Sequence, residues 1–296
     1  MEYVIDATNL KKKYKGFELN LPQFRVQQGY VSALIGENGA GKTTLLDILS
    51  GIRLDYKGDI TFFGNMTDKE REQKNCPIKE RTGYIGPGNY YLPQWSIQQV
   101  ATVSGLLFED FHEDIFWNHV TNLGIIHDRS DANKKVTKLS DGNRMKLMLS
   151  GIMARDTDLW IMDEPASPLD PLMRDKLCEI MRDYMEKGAG KKSIFFSTHN
   201  ITDMENVTDY AIIMSNGQIA EEGFVEDLKE KYVLVKGETK DAQYMQKIMC
   251  LLNQSHYGFE GIALATQVDS LAGYDVELER PNLSQISIAV MKENKL

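Results

Sequence analysis

Apolar and polar positions alternate along residues 3 to 28 in the two-residue rhythm of strands, broken at Lys11-Lys12-Lys13-Tyr14-Lys15-Gly16, which reads as a basic loop. Tyr30 to Ile35 is a short, mostly apolar run of the kind a buried strand makes. Leu45, Leu46, Ile48 and Leu49 follow at helical spacing, with Gly51 as the stop. Ile60-Thr61-Phe62-Phe63, bracketed by Gly58 and Gly64, predicts a hairpin strand, and residues 65 to 81 read as a polar surface excursion. Thr82 to Ile85 begins as a strand and ends in the breakers Gly86-Pro87-Gly88. From Ser96 to Leu123 the period turns helical, with Ile97, Val100, Ala101, Phe108, Phe111, Ile115, Phe116, Val120 and Leu123 on a candidate apolar face. Ser140 is placed to cap a helix running to about Ala154. Leu159-Trp160-Ile161-Met162 predicts a buried strand that ends in Asp163-Glu164-Pro165. Ser167-Pro168-Leu169-Asp170-Pro171 is a stiff turn, followed by an amphipathic helix from Leu172 to Met185 that Gly188 stops. Ser193 to Thr198 is a further apolar strand with His199 at its tip, beside the acid-bearing strand. Tyr210 to Met214 and Gln218 to Glu221 form a hairpin around Asn216-Gly217, a type I′ turn signal. Beyond Gly223 the pattern changes to a strand at Tyr232 to Val235, a helix from Asp241 to Leu252, and β-like pieces ending in Ile286 to Met291.

Between the second strand-like region and its helix lies Gly36-Glu37-Asn38-Gly39-Ala40-Gly41-Lys42-Thr43-Thr44, which fits G-x-x-x-x-G-K-[ST], the phosphate-binding loop. The three glycines are expected to take positive φ and let successive N–H groups approach a phosphate. Lys42 then sets an ammonium between β- and γ-phosphates, and the Thr43 hydroxyl can ligate Mg²⁺. A strand before and a helix after the loop point the positive end of that helix at the anion. Asp163 and Glu164 sit where a parallel strand delivers side chains to a ligand; without the loop upstream, two solvated carboxylates would be an equal reading. A lone histidine is usually structural, but His199 is brought to the same edge. Tyr14 is either part of a solvated turn or an aromatic that stacks on a base.

The 296 residues suffice for one large α/β unit and a smaller appendage, and 42% apolar content fills its core. A net charge of −9 gives no nucleic-acid footprint. No apolar run reaches the roughly 18 residues of a membrane span, and the first residues do not read as a signal peptide. Cys76, Cys178 and Cys250 are few, scattered and odd in number, as suits reduced thiols.

Taken together, these residues resemble the ATP-binding subunit of an ABC transporter over roughly residues 3 to 222. The likeness lies in the order of motifs: the loop at 36–44, the signature-like Leu139-Ser140-Asp141-Gly142-Asn143, Asp163-Glu164, the turn at Ser167 to Asp170, and His199. The resemblance implies an α/β fold within 1–222, a P-loop NTPase core with a mostly parallel sheet, an N-terminal antiparallel β-subdomain and a helical signature subdomain at about 88–155. A small α+β C-terminal extension would occupy 223–296. It implies ATP and Mg²⁺, with Gly36, Glu37, Asn38, Gly39, Ala40, Gly41, Lys42, Thr43 and Thr44 around the phosphates, and Thr43 and Asp163 at the metal. Glu164 would polarise the attacking water, with His199 and Lys42 beside it. Asp170 would connect the two sites of a dimer, Ser140 and Gly142 would reach the γ-phosphate held by the opposite subunit, and Tyr14 would stack on adenine. The partners implied are a polytopic membrane subunit and a second copy or paralogue, which would hold the chain on the cytoplasmic, inner face of a membrane; no nucleic acid is implied.

Two departures stand out. The usual LSGGQ carries Asp141 and Asn143 in place of Gly and Gln, with the Asp141 side chain expected to point away from the phosphate. Pro87 aligns where the family places a Gln, and Gln94 lies too far along to substitute for it. Around Tyr257-Gly258-Phe259-Glu260-Gly261 and Glu279-Arg280-Pro281-Asn282-Leu283 the tail resembles the extension of bacterial two-component exporters. Two other readings are a soluble ABC-type ATPase acting on ribosomes or DNA and a small-molecule kinase. The first usually has two cassettes or a coiled-coil insertion, and the second has no use for the signature-like segment or His199.

Overall fold

The structure, a computed structural model, describes residues 2–68, 77–86 and 91–294. Its first elements are β1 (Tyr3–Tyr14), β2 (Phe17–Gln27), β3 (Val31–Gly36), α1 (Lys42–Ser50), β4 (Lys57–Phe62), β5 (Met66–Thr67), α2 (Pro77–Arg81) and β6 (Thr82–Ile85). Next come α3 (Ile97–Leu107), α4 (Glu113–Asn122), α5 (Asp141–Met153), β7 (Leu159–Asp163), α6 (Pro171–Lys187), β8 (Ser193–Thr198), β9 (Tyr210–Ser215) and β10 (Gln218–Phe224). The tail holds α7 (Val225–Lys231), β11 (Tyr232–Gly237), α8 (Ala242–Met245), β12 (Cys250–Gln254), β13 (Phe259–Leu264), β14 (Val276–Glu279) and α9 (Leu283–Glu293).

Strands β6, β7, β8, β3 and β9 lie side by side and parallel, with β10 antiparallel at one edge. Every residue of β3, β7 and β8 is buried, because both faces of the sheet are covered. Alternate side chains serve opposite cores. Ala33, Ile35, Trp160, Met162, Ile194 and Phe196 pack with the helices α3 to α6 and with α9, while Leu34, Ile161, Phe195 and Ile212 pack with α1 and the β1–β2 sheet. This arrangement sets the carboxyl ends of β3, β7 and β8 next to one another, with register pairs Ile35↔Thr198 and Asp163↔Ser197.

A second, antiparallel sheet runs β2-β1-β4-β5. Here the lysine run is not a loop. Lys11, Lys12 and Lys13 continue β1 opposite Asn20, Leu19 and Glu18, and only Lys15-Gly16 makes the turn. Strand pairing carries the alternation through the lysines because Lys11 and Lys13 point to solvent and Lys12 pairs with Asp55. The helical stretch after Ser96 is two helices joined by Phe108 to His112, and Ile115 falls off the apolar face at 43% exposure. Helix α6 ends at Lys187, but Gly188 keeps a right-handed conformation, and Ala189 (φ 45°) and Gly190 (φ 84°) make the left-handed reversal.

The tail sheet, β12-β13-β11-β14, is antiparallel, and two expectations fail in it. The expected helix over 241–252 is confined to α8; Cys250 to Gln254 instead pairs with β13 as β12. Ile286 to Met291 is helix, not strand. Asn282 and Gln285 form a capping box that starts α9, and Leu283, Ile286 and Val290 then recur at helical spacing. Those three side chains join the core beside β3 and β9, while Ala289 packs on Leu234 and Ile262 of the tail sheet. No helix among the described residues is long and apolar enough to cross a membrane.

Candidate functional site

Gly36 closes β3, and Glu37 to Gly41 turn the chain into α1. Gly39 (φ 85°) and Gly41 (φ 107°) hold the left-handed backbone that lets this loop close on itself. Gly36 does not. Its lack of a side chain answers a close approach, since a Cβ there would stand 2.6 Å from the Met214 carbonyl oxygen. The loop is braced from β9–β10, where Gly217 N donates to Ala40 O at 3.0 Å. Glu37, Asn38, Gly39 and Thr43 are exposed, Thr44 is half-buried and Ala40 is buried.

Lys42 is buried, and its Nζ donates to Gly36 O at 2.7 Å and Glu37 O at 3.2 Å. The same ammonium lies 3.5 Å from Glu164 Oε1. Glu164 Oε2 meets His199 Nδ1 at 2.8 Å, so the carboxylate is held between a cation and an imidazole. Glu164 has φ 51°, a strained conformation for a residue with a side chain and one that clusters at active sites. Ser197, which sequence reasoning missed, supplies the restraint. Its hydroxyl accepts from Glu164 N at 3.1 Å and donates to Asp163 Oδ1. The available signal was its place in the strand beside Asp163.

Asp163 is 1% exposed, and its Oδ2 is buried with no hydrogen-bond partner. A buried carboxylate oxygen left in that state costs free energy unless a cation, or water bound to one, meets it. Among the described residues no group of three His, Cys, Asp or Glu could hold an ion alone. The orphaned oxygen fits Mg²⁺, which takes one or two protein oxygens and completes its shell with phosphates and water. One turn into α1, burial raises the carboxyl pKa of Asp47, opposed by Arg53 and assisted by the negative charge of Asp163.

Tyr14 is half-buried, its ring centroid 6.2 Å from that of Phe17. Phe17, also missed, reaches the loop, for a Cβ on Gly41 would lie 2.8 Å from its Cζ. Ser140 caps α5, its hydroxyl accepting from Asn143 N at 3.3 Å. Gly142 faces the turn after Glu164, where a Cβ would come 3.0 Å from Pro168 O. The Asp141 side chain is 82% exposed and pairs with Arg144 at 3.1 Å. Asp170 caps α6 through Met173 N at 3.1 Å. The structure therefore joins Lys42, Asp163, Glu164 and His199, sets Tyr14 next to Phe17 and between Lys12 and Arg53, and leaves Ser140, Gly142 and Asp170 out of that hydrogen-bonded cluster. Pro87 lies outside the described residues, and Gln94 is exposed in a turn before α3.

Residues 19–167, just over half of the chain, match the ABC transporter family. The chain belongs to that family. Its relatives include the ATP-binding protein of a tungstate uptake system from Peptoclostridium acidaminophilum, 28% identical over 74% of this chain and 99% of the relative. Another is a Nod factor export ATP-binding protein from Cupriavidus pinatubonensis, 27% identical over 78% of this chain and 69% of the relative. Among solved structures, the ATP-binding subunit of an ABC transporter superposes with a TM-score of 0.64, at 23% identity over 76% of this chain and 92% of that one. As a member of the family the chain is the ATPase of a transporter, an ATP-binding subunit that works with a membrane partner.

Proposed function

We propose that the chain hydrolyses MgATP at the Lys42–Glu164–His199 cluster, as one half of an ATP-sandwiched pair, and drives cargo outward through a separate polytopic membrane subunit. The observation that carries this reading is the Glu164 carboxylate, held 3.5 Å from Lys42 Nζ and 2.8 Å from His199 Nδ1 on a strained backbone.

Lys42 exchanges its loop carbonyls for the β- and γ-phosphate oxygens, and the glycine backbone surrounds them. Thr43 and Asp163 would hold Mg²⁺, which would neutralise charge on those oxygens. Glu164 accepts a proton from the attacking water, while the His199 ring fixes the carboxylate and points a nitrogen toward the γ-phosphate. Tyr14 stacks on the adenine. Ser140 and the Gly142 N–H, at the positive end of α5, complete the site of the opposing copy, and Asp170 lies between the two sites. The exposed hydroxyl end of α5 and the exposed Asp170 suit a surface that another copy covers.

Outward transport is favoured by the tail's likeness to exporter extensions, and attachment through the membrane subunit places the chain on the inner face. The test is capture of the tagged chain from detergent-solubilised membranes of its native host. A polytopic membrane protein should copurify and raise ATP turnover; copurifying ribosomes or DNA without a membrane protein would contradict the reading. Inverted vesicles bearing the complex should accumulate cargo when ATP is added outside.

A further inference from the structure

Glu164 and His199 touch, yet they leave their strands in different directions, Glu164 into a turn toward α6 and His199 into the segment before Val207. Contact at 2.8 Å survives only if both departures are fixed. On the first side, Ser167 N donates to Glu164 O at 3.1 Å and Leu169 N to Ala166 O at 3.1 Å, so the turn is two tight folds ending at Leu169. On the other, Thr198 Oγ1 donates to Asn200 O at 2.8 Å, Thr202 N to Asn200 Oδ1 at 3.2 Å, and Met204 N to Ile201 O at 2.9 Å. Asp203 lies within that second set of turns.

One side chain spans the two. Arg174, in the second turn of α6, donates from Nε to Leu169 O at 3.0 Å and from Nη1 to Asp203 Oδ2 at 2.5 Å. Its own backbone N–H donates to Asp170 O at 3.0 Å, so the guanidinium starts from a fixed point. Cys178, one turn further along α6, adds a thiol contact of 3.6 Å to Asp203 O. The bonds form a closed ring: Glu164, its turn, Leu169, Arg174, Asp203, the second set of turns, His199, and back to Glu164. A planar guanidinium can serve a carbonyl and a carboxylate that lie in different directions; an ammonium on a flexible stem cannot hold both in one fixed geometry.

We propose that Arg174, with Asp203, is a positioning residue that holds Glu164 and His199 in register for hydrolysis. The inference rests on the assignment of Glu164 as the base. Neither Arg174 nor Asp203 touches the loop that binds phosphate, so their loss acts on turnover and leaves nucleotide binding alone.

The test compares Arg174→Ala, Arg174→Lys, Asp203→Asn and the Arg174→Ala/Asp203→Asn pair with wild type, in steady-state ATP hydrolysis and in equilibrium MgATP binding. Arg174→Ala should lower kcat by roughly 10–100-fold, the scale of a misplaced catalytic group, with ATP affinity within about two-fold. Arg174→Lys keeps the ion pair and should fall between it and wild type, and the double variant should lose no more than the larger single loss. Should Arg174→Ala fail to fold, Arg174→Lys and Asp203→Asn carry the same comparison. A kcat within two-fold of wild type, additive losses in the double variant, or equal losses in kcat and affinity would each overturn the proposal. Glu164→Gln run in parallel separates the two assignments. If it stays active the base assignment falls and this inference with it; if it is inactive while Arg174→Ala is not, the positioning role alone falls.

Discussion

At the scale of single residues, the site depends on side chains whose partners are incomplete within the chain. Asp163 keeps one buried oxygen without a partner, and Lys42 satisfies itself on the carbonyls of its own loop. Lys42→Ala should therefore cost nucleotide affinity, by ten-fold or more in a titration with labelled ATP, since a charge-assisted contact is worth roughly 1.5–3 kcal/mol. Ser197→Ala removes the hydroxyl's bonds to Asp163 and to the Glu164 N–H, which then keeps only the Ser197 carbonyl at 3.2 Å. It should lower kcat about ten-fold, and removing two hydrogen bonds should also lower the melting temperature. Unchanged kcat in Ser197→Ala would show that the strained Glu164 backbone needs no such restraint. The acids were legible in the sequence because four apolar residues ending in two carboxylates follow a phosphate loop upstream. Ser197 was not, because one hydroxyl among Ser193, Ser197 and Thr198 is distinguished only by which strand lies beside it. Phe17 escaped for a related reason: its nearness to Gly41 depends on how β2 packs across the loop.

At the scale of elements, period decided most of the outcome. Runs covered on both faces, β3, β7 and β8, were readable as strands, and so was the Asn216-Gly217 turn, whose residues both take positive φ (49° and 76°). The failures came where local composition and tertiary pairing disagree. The run Ile286 to Met291 is rich in β-branched residues, but a capping box and burial on two surfaces make it α9. Cys250 to Gln254 is strand because β13 offers it an edge. The β9–β10 turn also supports the phosphate loop, and there is no room at its tip, for a Cβ on Gly217 would stand 2.1 Å from Glu18 O. Gly217→Ala should destabilise the fold by roughly 2 kcal/mol or more, combining left-handed strain with that collision, as read by thermal denaturation. Helix α4 provides a pH-dependent term. Burial, assisted by the charge of Lys187, holds the His119 pKa below its usual value. The unfolded chain then takes up this proton first as pH falls, so the contribution is present above about pH 6.5 and is lost below it. Wild type should lose more melting temperature between pH 7.5 and 5.5 than His119→Gln; equal losses would count against it.

At the scale of the whole molecule, the proposed sandwich draws its surfaces from two copies. The phosphate loop and the α5 N-terminus of one copy belong to different sites in it, so ATP should join two copies when hydrolysis is blocked. Light scattering on Glu164→Gln should show a dimer with MgATP and a monomer without it. A strictly monomeric ATP-bound protein, with Ser140→Ala harmless to turnover, would contradict the sandwich. The order of motifs made the ATP-binding subunit readable from the sequence. The packing of α9 between tail and core was not, because the strands it covers, β3 above all, lie far from it along the chain. Whether Glu164 accepts the proton of the attacking water is read from steady-state ATP hydrolysis by Glu164→Gln beside its equilibrium MgATP affinity. Loss of the base should lower kcat by roughly 10²–10⁴-fold with affinity retained; turnover at the wild-type rate would contradict that role.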